Sequence, residues 1–176
     1  MRRLGGPPVG PPQSEIGKAE GEQAIPPLII SPQELSRFEG QELGITNWHR
    51  VTQEEVNAFA HATHDTYWIH TDPERAKKES PFGTTVAHGF FTLSLCAYFI
   101  HQVFTVEGTK MMINYGVNRV RFPAPLPVGS QVRGRVTLTK VEEVSGGRQC
   151  TSTVTVEREG ETKPVCVAEV LLRYFL

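Results

Sequence analysis

Asp65 and His70 stand five residues apart, and the most apolar run in the chain begins a little further on at His88-Gly89. A carboxylate and an imidazole can hold one water between them and move its protons, and burial beside apolar surface can bring both pKa values towards neutrality. At about 100° per residue, a continuous helix would set the two side chains about 140° apart. Thr66-Tyr67-Trp68-Ile69 must therefore leave helical geometry if the pair is to act on one small molecule, with Trp68 and Ile69 as the hydrophobic anchors of the bend. Spacing alone leaves a second reading open, in which Asp65 caps a turn and His70 makes a structural hydrogen bond.

The stretch Pro81-Phe82-Gly83-Thr84-Thr85-Val86-Ala87-His88-Gly89 supplies a complementary group. The first N–H groups of a helix have no intrahelical partner and lie at the positive end of its dipole. Gly89 has no side chain to shield its amide, so a carbonyl oxygen could approach it, as an oxyanion hole requires. The same glycine could instead serve close helix–sheet packing. His88 reads as a hydrogen-bonder at the helix start rather than as a base.

These groups need elements to position them. Thr52-Gln53-Glu54-Glu55 is a capping box with Val56, Phe59 and Ala60 on one face behind it, which predicts a helix from about Gln53 to Ala62. Ser31-Pro32-Gln33-Glu34 and Asp72-Pro73-Glu74 start two short helices, the second running to Lys78. The longest helix spans about Ala87 to Phe104 and is apolar nearly all round, the mark of a helix enclosed by other elements. Beyond Gly108 the pattern changes to period two: a short strand over Asn118–Phe122, then three long strands joined at Ser145-Gly146-Gly147 and Glu159-Gly160-Glu161, with a bulge near Val141. An apolar helix ahead of an antiparallel sheet predicts an α+β fold, with the long central helix wrapped by the sheet.

The 176 residues suffice for one domain with a real core. Hydrophobic residues are 39% and charged residues 21%, with net charge −1 and a pI near 6.6, so nothing favours nucleic acid or an anionic membrane as partner. Cys96, Cys150 and Cys166 form no CxxC pair and sit among apolar neighbours, as expected of reduced thiols in a cytoplasmic protein. Residues 1–30 carry eleven glycines and prolines and read as a flexible extension, docked if anywhere near Pro26–Ile30, with the folded domain over residues 31–176. The run from Val86 to Phe104 is broken by His88, His101 and Gln102 and is core rather than a membrane span.

The pattern D-x-x-x-x-H-x-D followed by PFG-x-T-x-AHG resembles the MaoC-like dehydratases, a hot-dog-fold group that includes the (R)-specific enoyl-CoA hydratases. The segments WIHTDPERA, HGFFTLSL, INYGVNRVRFPAPLPVG and GRVTL look most like the branch containing nodulation protein N, and the resemblance covers about Ser31 to Leu176. It implies interconversion of a trans-2-enoyl-CoA and an (R)-3-hydroxyacyl-CoA, with Asp65 and His70 as the acid–base pair and Gly89 as the oxyanion amide. It also implies a homodimer with no metal and no cofactor beyond the coenzyme A thioester itself. Tyr67, Trp68, Phe82, Gly83, His88 and Phe90 are then the candidate substrate contacts, with Phe91, Tyr98 and Phe99 as further wall positions. Tyr67 departs from the family pattern, which usually has an amide side chain before the tryptophan, and a phenol there predicts a narrowed pocket.

Other chemistry is less well supported. A hot-dog thioesterase or a non-catalytic acyl-CoA-binding module would share fold and ligand. His61, His64, Asp65, His70 and Asp72 are close in sequence but lack the spacing of a metal hydrolase. Ser94 has no nucleophile elbow, and the cysteines have no polar setting. Arg119, Arg121, Arg133 and Arg135 are the candidate partners of the coenzyme A phosphates.

Overall fold

A computed structural model of the chain describes residues 26–176. Its elements are β1 (Leu28–Ile30), a 3-10 turn (Leu35–Phe38), β2 (Gln41–Ile45), β3 (His49–Arg50), α1 (Gln53–Thr63), α2 (Trp68–Thr71), α3 (Pro73–Glu79), α4 (Gly89–Val103), β4 (Phe104–Val106), β5 (Met111–Arg121), β6 (Gln131–Val144), β7 (Gly147–Arg158) and β8 (Cys166–Phe175). One antiparallel sheet has the order β2-β6-β7-β8-β5, with β3 also paired to β6. The central helix α4 packs against β6, β7 and β8.

The core follows the period-two pattern. On β6, Val132, Gly134, Val136 and Leu138 are buried, until the register shifts between Leu138 and Lys140 where the change of parity predicts a bulge. On β8, Cys166, Ala168, Leu172 and Tyr174 are buried, and Phe91, Cys96, Phe99, Ile100 and Val103 of α4 pack on that face. Burying a ring such as that of Phe99 contributes about 1.5–3 kcal/mol. Gly134 makes room for it, since a Cβ there would lie 2.5 Å from the Phe99 Cβ and Cγ. Among the described residues, no helix is long and apolar enough to cross a membrane.

The starts of α1 and α3 follow from their caps. Thr52 accepts from the Glu55 amide at 3.2 Å while the Glu55 carboxylate accepts from the Thr52 amide at 2.8 Å, and Asp72 Oδ1 accepts from the Arg75 amide at 3.0 Å with Pro73 leading the helix.

Four expectations change. The strand foreseen over Asn118–Phe122 is the 11-residue β5, paired to β8 along its length. It is an edge strand exposed on both faces, so it shows no alternation to read. The helix foreseen at Ser31–Glu34 is a turn leading into the 3-10 turn, with Ser31 Oγ donating to Glu34 at 2.6 Å. Phe91 and Phe99 are core, 7% and 0% exposed, and not pocket wall. Packed chain also begins ahead of Ser31, because Leu28–Ile30 pairs in parallel with β4 and Ile30 is buried. Residues 1–25 of the foreseen extension lie outside the described residues.

Candidate active site

Helix α1 stops at Thr63 because His64 adopts a left-handed conformation, φ 60°. Asp65, Thr66 and Tyr67 are non-helical, and the chain re-enters helix only for the single turn of α2. The bend that brings Asp65 to His70 is therefore confined to three residues, while Trp68 and Ile69, expected within it, are helical. Trp68 lies under the Arg75 guanidinium at 4.4 Å.

The segment 85–88 clamps this bend. Val86 donates its amide to the Ile69 carbonyl at 3.0 Å, and the Val86 carbonyl accepts from His70 Nδ1 at 2.6 Å. Gln53 bridges from the other side: its Nε2 donates to the His70 carbonyl at 2.7 Å and its Oε1 accepts from Thr85 Oγ1 at 2.6 Å. Nothing in the sequence singled Gln53 out beyond its place in the capping box.

One ligating atom from each of Asp65, His70 and His88 falls within 4.8 Å of the others. His88 is 2% exposed, its Nε2 stands 2.9 Å from the Asp65 carbonyl oxygen and 3.9 Å from Asp65 Oδ2, and its ring stacks on His70 with centroids 3.8 Å apart. His88, read from the sequence as a hydrogen-bonder at the helix start, precedes α4 and makes its bond to the Asp65 carbonyl. His61 and His64 stand outside this cluster and are exposed.

A carbonyl can only accept, so His70 Nδ1 carries the hydrogen given to Val86 and Nε2 is left with a lone pair. Burial pulls the His70 pKa below the ordinary imidazole value; the Val86 bond raises it, the neighbouring His88 lowers it, and Asp65 raises it. The net effect keeps a basic nitrogen available near pH 7.

Gly89 is the first residue of α4, and among the described residues no group accepts a hydrogen bond from its amide. It lines a cavity of about 240 Å³ with Val86, Ala87, Thr92, Phe122 and Leu126. A larger cavity of about 680 Å³ by Leu28, Ile45 and His101 lies at the other end of α4, about 20 Å from Gly89 at 1.5 Å per residue.

The remaining candidates divide. Tyr67 is 58% exposed, its ring 6.4 Å from that of His70. Phe90 is exposed, 6.4 Å from the Phe122 ring. Phe82 and Gly83 form a turn closed on Ser80, and no hydrogen bond or ring contact among the described residues ties them to Asp65, His70 or His88. Arg133 and Arg135 are both paired with Glu157, Arg135 also with Glu42, and Arg133 lies over Trp48, which leaves Arg119 and Arg121 as the less committed cations. Ser94 Oγ donates to the Phe90 carbonyl within its own helix. All three cysteines are free and buried, and burial pushes Cys150 up to about 12.

Fold and site together define a hot-dog protein, with a carboxylate and two imidazoles gathered beside the start of its central helix. A family model described as "MaoC like domain" matches residues 35–160, and the chain belongs to that family. It is 54% identical over 142 residues to the 3-hydroxyacyl-thioester dehydratase Z of Mycobacterium tuberculosis, covering 80% of this chain and 93% of that protein. It is 46% identical over 132 residues to nodulation protein N of Rhizobium leguminosarum bv. viciae, covering 73% and 81%. Among solved structures it resembles an (R)-hydratase from A. caviae involved in PHA biosynthesis, with TM-score 0.62 and 25% identity over 76% of this chain and 94% of that one.

Proposed function

We propose that Asp65, His70 and the Gly89 amide carry out the reversible syn addition of water to a trans-2-enoyl-CoA, giving the (R)-3-hydroxyacyl-CoA. The chain is a hydratase/dehydratase, in keeping with its family and its dehydratase relative. The observation that carries the assignment of roles is the tethering of His70 Nδ1 to Val86, which leaves Nε2 to face the substrate as a base.

In the reaction so drawn, the thioester oxygen accepts the Gly89 N–H and the β-carbon becomes electrophilic. The Asp65 carboxylate accepts one hydrogen of the water and His70 Nε2 the other. As the water oxygen bonds to the β-carbon, its proton passes to His70. The enolate held at Gly89 then collapses, and the imidazolium returns that proton to the α-carbon on the same face. The thioester is its own electron sink, so the steps call for no metal or redox cofactor.

A homodimer formed through β5 fits this reading. The strand lies at the sheet edge with Met111, Tyr115 and Val117 about half exposed, and pairing with a second copy would cover it. Hydration of crotonyl-CoA, followed by loss of enoyl absorbance with chiral analysis of the product, tests the assignment. Asp65→Asn and His70→Gln should each lose 10²- to 10⁴-fold, or roughly that, in kcat. Full activity in both, or an (S) product, removes it.

A further inference from the structure

We propose that His88 is a positioning residue, a buried buckle that holds Asp65 and His70 in register; this rests on the roles given to that pair above. Its Nε2–H to the Asp65 carbonyl is the one hydrogen bond Asp65 makes among the described residues. Asp65 otherwise sits in a non-helical stretch just past the left-handed His64, with its side chain 56% exposed. A residue so placed would sample several orientations without an anchor, and the anchor here is a side chain only 2% exposed.

The same ring restrains His70. One hydrogen bond from Nδ1 to Val86 leaves the imidazole free to rotate about that axis, and the stacked His88 face, 3.8 Å away and inclined 28°, blocks the tilt. On its far side His88 meets the Phe59 ring at 5.1 Å, so it cannot retreat into the core. It also directly precedes Gly89, so one residue couples the positions of the carboxylate, the imidazole and the oxyanion amide.

Stability alone does not account for a histidine here. His88 Nδ1 is buried with no hydrogen-bond partner, and burying a polar atom without a partner is unfavourable. A phenylalanine would fill the site between Phe59 and His70 without that cost, and the Asp65 carbonyl, part of an exposed residue, could turn to water. A group kept at the expense of stability beside reacting side chains has its explanation in the reaction.

The test is a double-mutant cycle on the full chain. His88→Phe should keep or raise the melting temperature while kcat for crotonyl-CoA hydration falls about 100-fold, the cost of a small misplacement of reacting groups, with KM little changed. His88→Gln, which can still donate to Asp65, should recover part of the loss. Asp65→Asn combined with His88→Phe should be slower than Asp65→Asn alone by clearly less than the loss His88→Phe causes by itself, because part of that loss is the positioning of Asp65. In the unmodified protein, ¹⁵N imidazole spectra should place the His88 hydrogen on Nε2.

Wild-type kcat in His88→Phe overturns the proposal, as does a fully multiplicative loss in the double variant or a His88 hydrogen on Nδ1. Should His88→Phe fail to fold, His88→Gln and the imidazole spectrum decide between the same outcomes. Activity retained in both Asp65→Asn and His70→Gln would instead sink the acid–base roles, whatever His88 does.

Discussion

A single methyl group added at Gly89 separates the two uses of that glycine. A Cβ there would meet Phe122 Cδ2 and Cε2 at 3.0 Å and Cγ at 3.2 Å, so the ring must give way by a few tenths of an ångström. It has room to do so, being 42% exposed. The stability cost of Gly89→Ala should therefore lie at the low end of overpacking penalties, about 1 kcal/mol, or about 2–4 °C in Tm for a chain of this length. A loss of that size leaves nearly all molecules folded and cannot itself lower the rate. If the amide serves the thioester oxygen, crowding it forfeits much of one oxyanion donor, roughly 10²–10³ in kcat. Stopped-flow hydration of crotonyl-CoA together with thermal melts reads both quantities. Phe122→Leu in the same chain relieves the packing but leaves the methyl beside the amide, so kcat should stay low. Wild-type kcat in Gly89→Ala, or full recovery in the double variant, would refute the oxyanion role and return Gly89 to packing alone.

The His70 pKa is depressed, so the base form persists as the solution turns acidic: kcat/KM should rise with pH with a midpoint below the ordinary histidine value of about 6.5. A midpoint above that value would contradict it. By linkage, the same group should make the protein less stable as pH falls from about 6.5 towards the folded-state pKa, because the unfolded chain then binds the extra proton, and melts across that range measure the trend. Removing the Asp65 charge should lower the His70 pKa further, since Asp65 raises it; NMR titration of Asp65→Asn against wild type checks the sign. Gly134→Ala contrasts with Gly89→Ala, for its Cβ would strike a fully buried Phe99 at 2.5 Å, and it should cost up to about 3 kcal/mol; an unchanged Tm would mean that α4 does not press on β6 there. Val117→Lys on β5 should convert a dimer to monomer in sedimentation velocity, and a dimer unaffected by it would place the contact elsewhere.

Local chemistry was legible and long-range pairing was not. The capping box at Thr52 and the Asp72-Pro73 start depend on atoms three residues apart, and both helices form where that chemistry predicts. The alternation of β6 and β8 reports one buried face directly. β5 escaped because an edge strand exposed on both sides has no face to alternate with. Arg133 and Arg135 looked like free cations until the β6–β7 register set Glu157 between them. Phe91 and Phe99 looked like pocket walls because a helix apolar all round does not reveal which side meets the sheet.

The site shows the same division. That Asp65 and His70 must meet outside helical geometry follows from their spacing, but what holds the bend lies 16 to 32 residues away in sequence. Val86 takes the His70 imidazole and the Ile69 carbonyl, His88 takes the Asp65 carbonyl, and Gln53 links His70 to Thr85. The D-x-x-x-x-H stretch and the AHG stretch are thus two halves of one clamp, with α3 as the spacer between them. This explains why a carboxylate and an imidazole can stand on so short and open a segment: the strand-like run 85–88 supplies, through backbone groups and one buried ring, the rigidity that residues 64–67 lack. It also places the Gly89 amide, since Gly89 is the residue after the last clamp contact. Shifting that run by a single residue would move both the amide and the anchor of Asp65, so under the proposed roles the geometry of proton transfer and that of enolate binding change together.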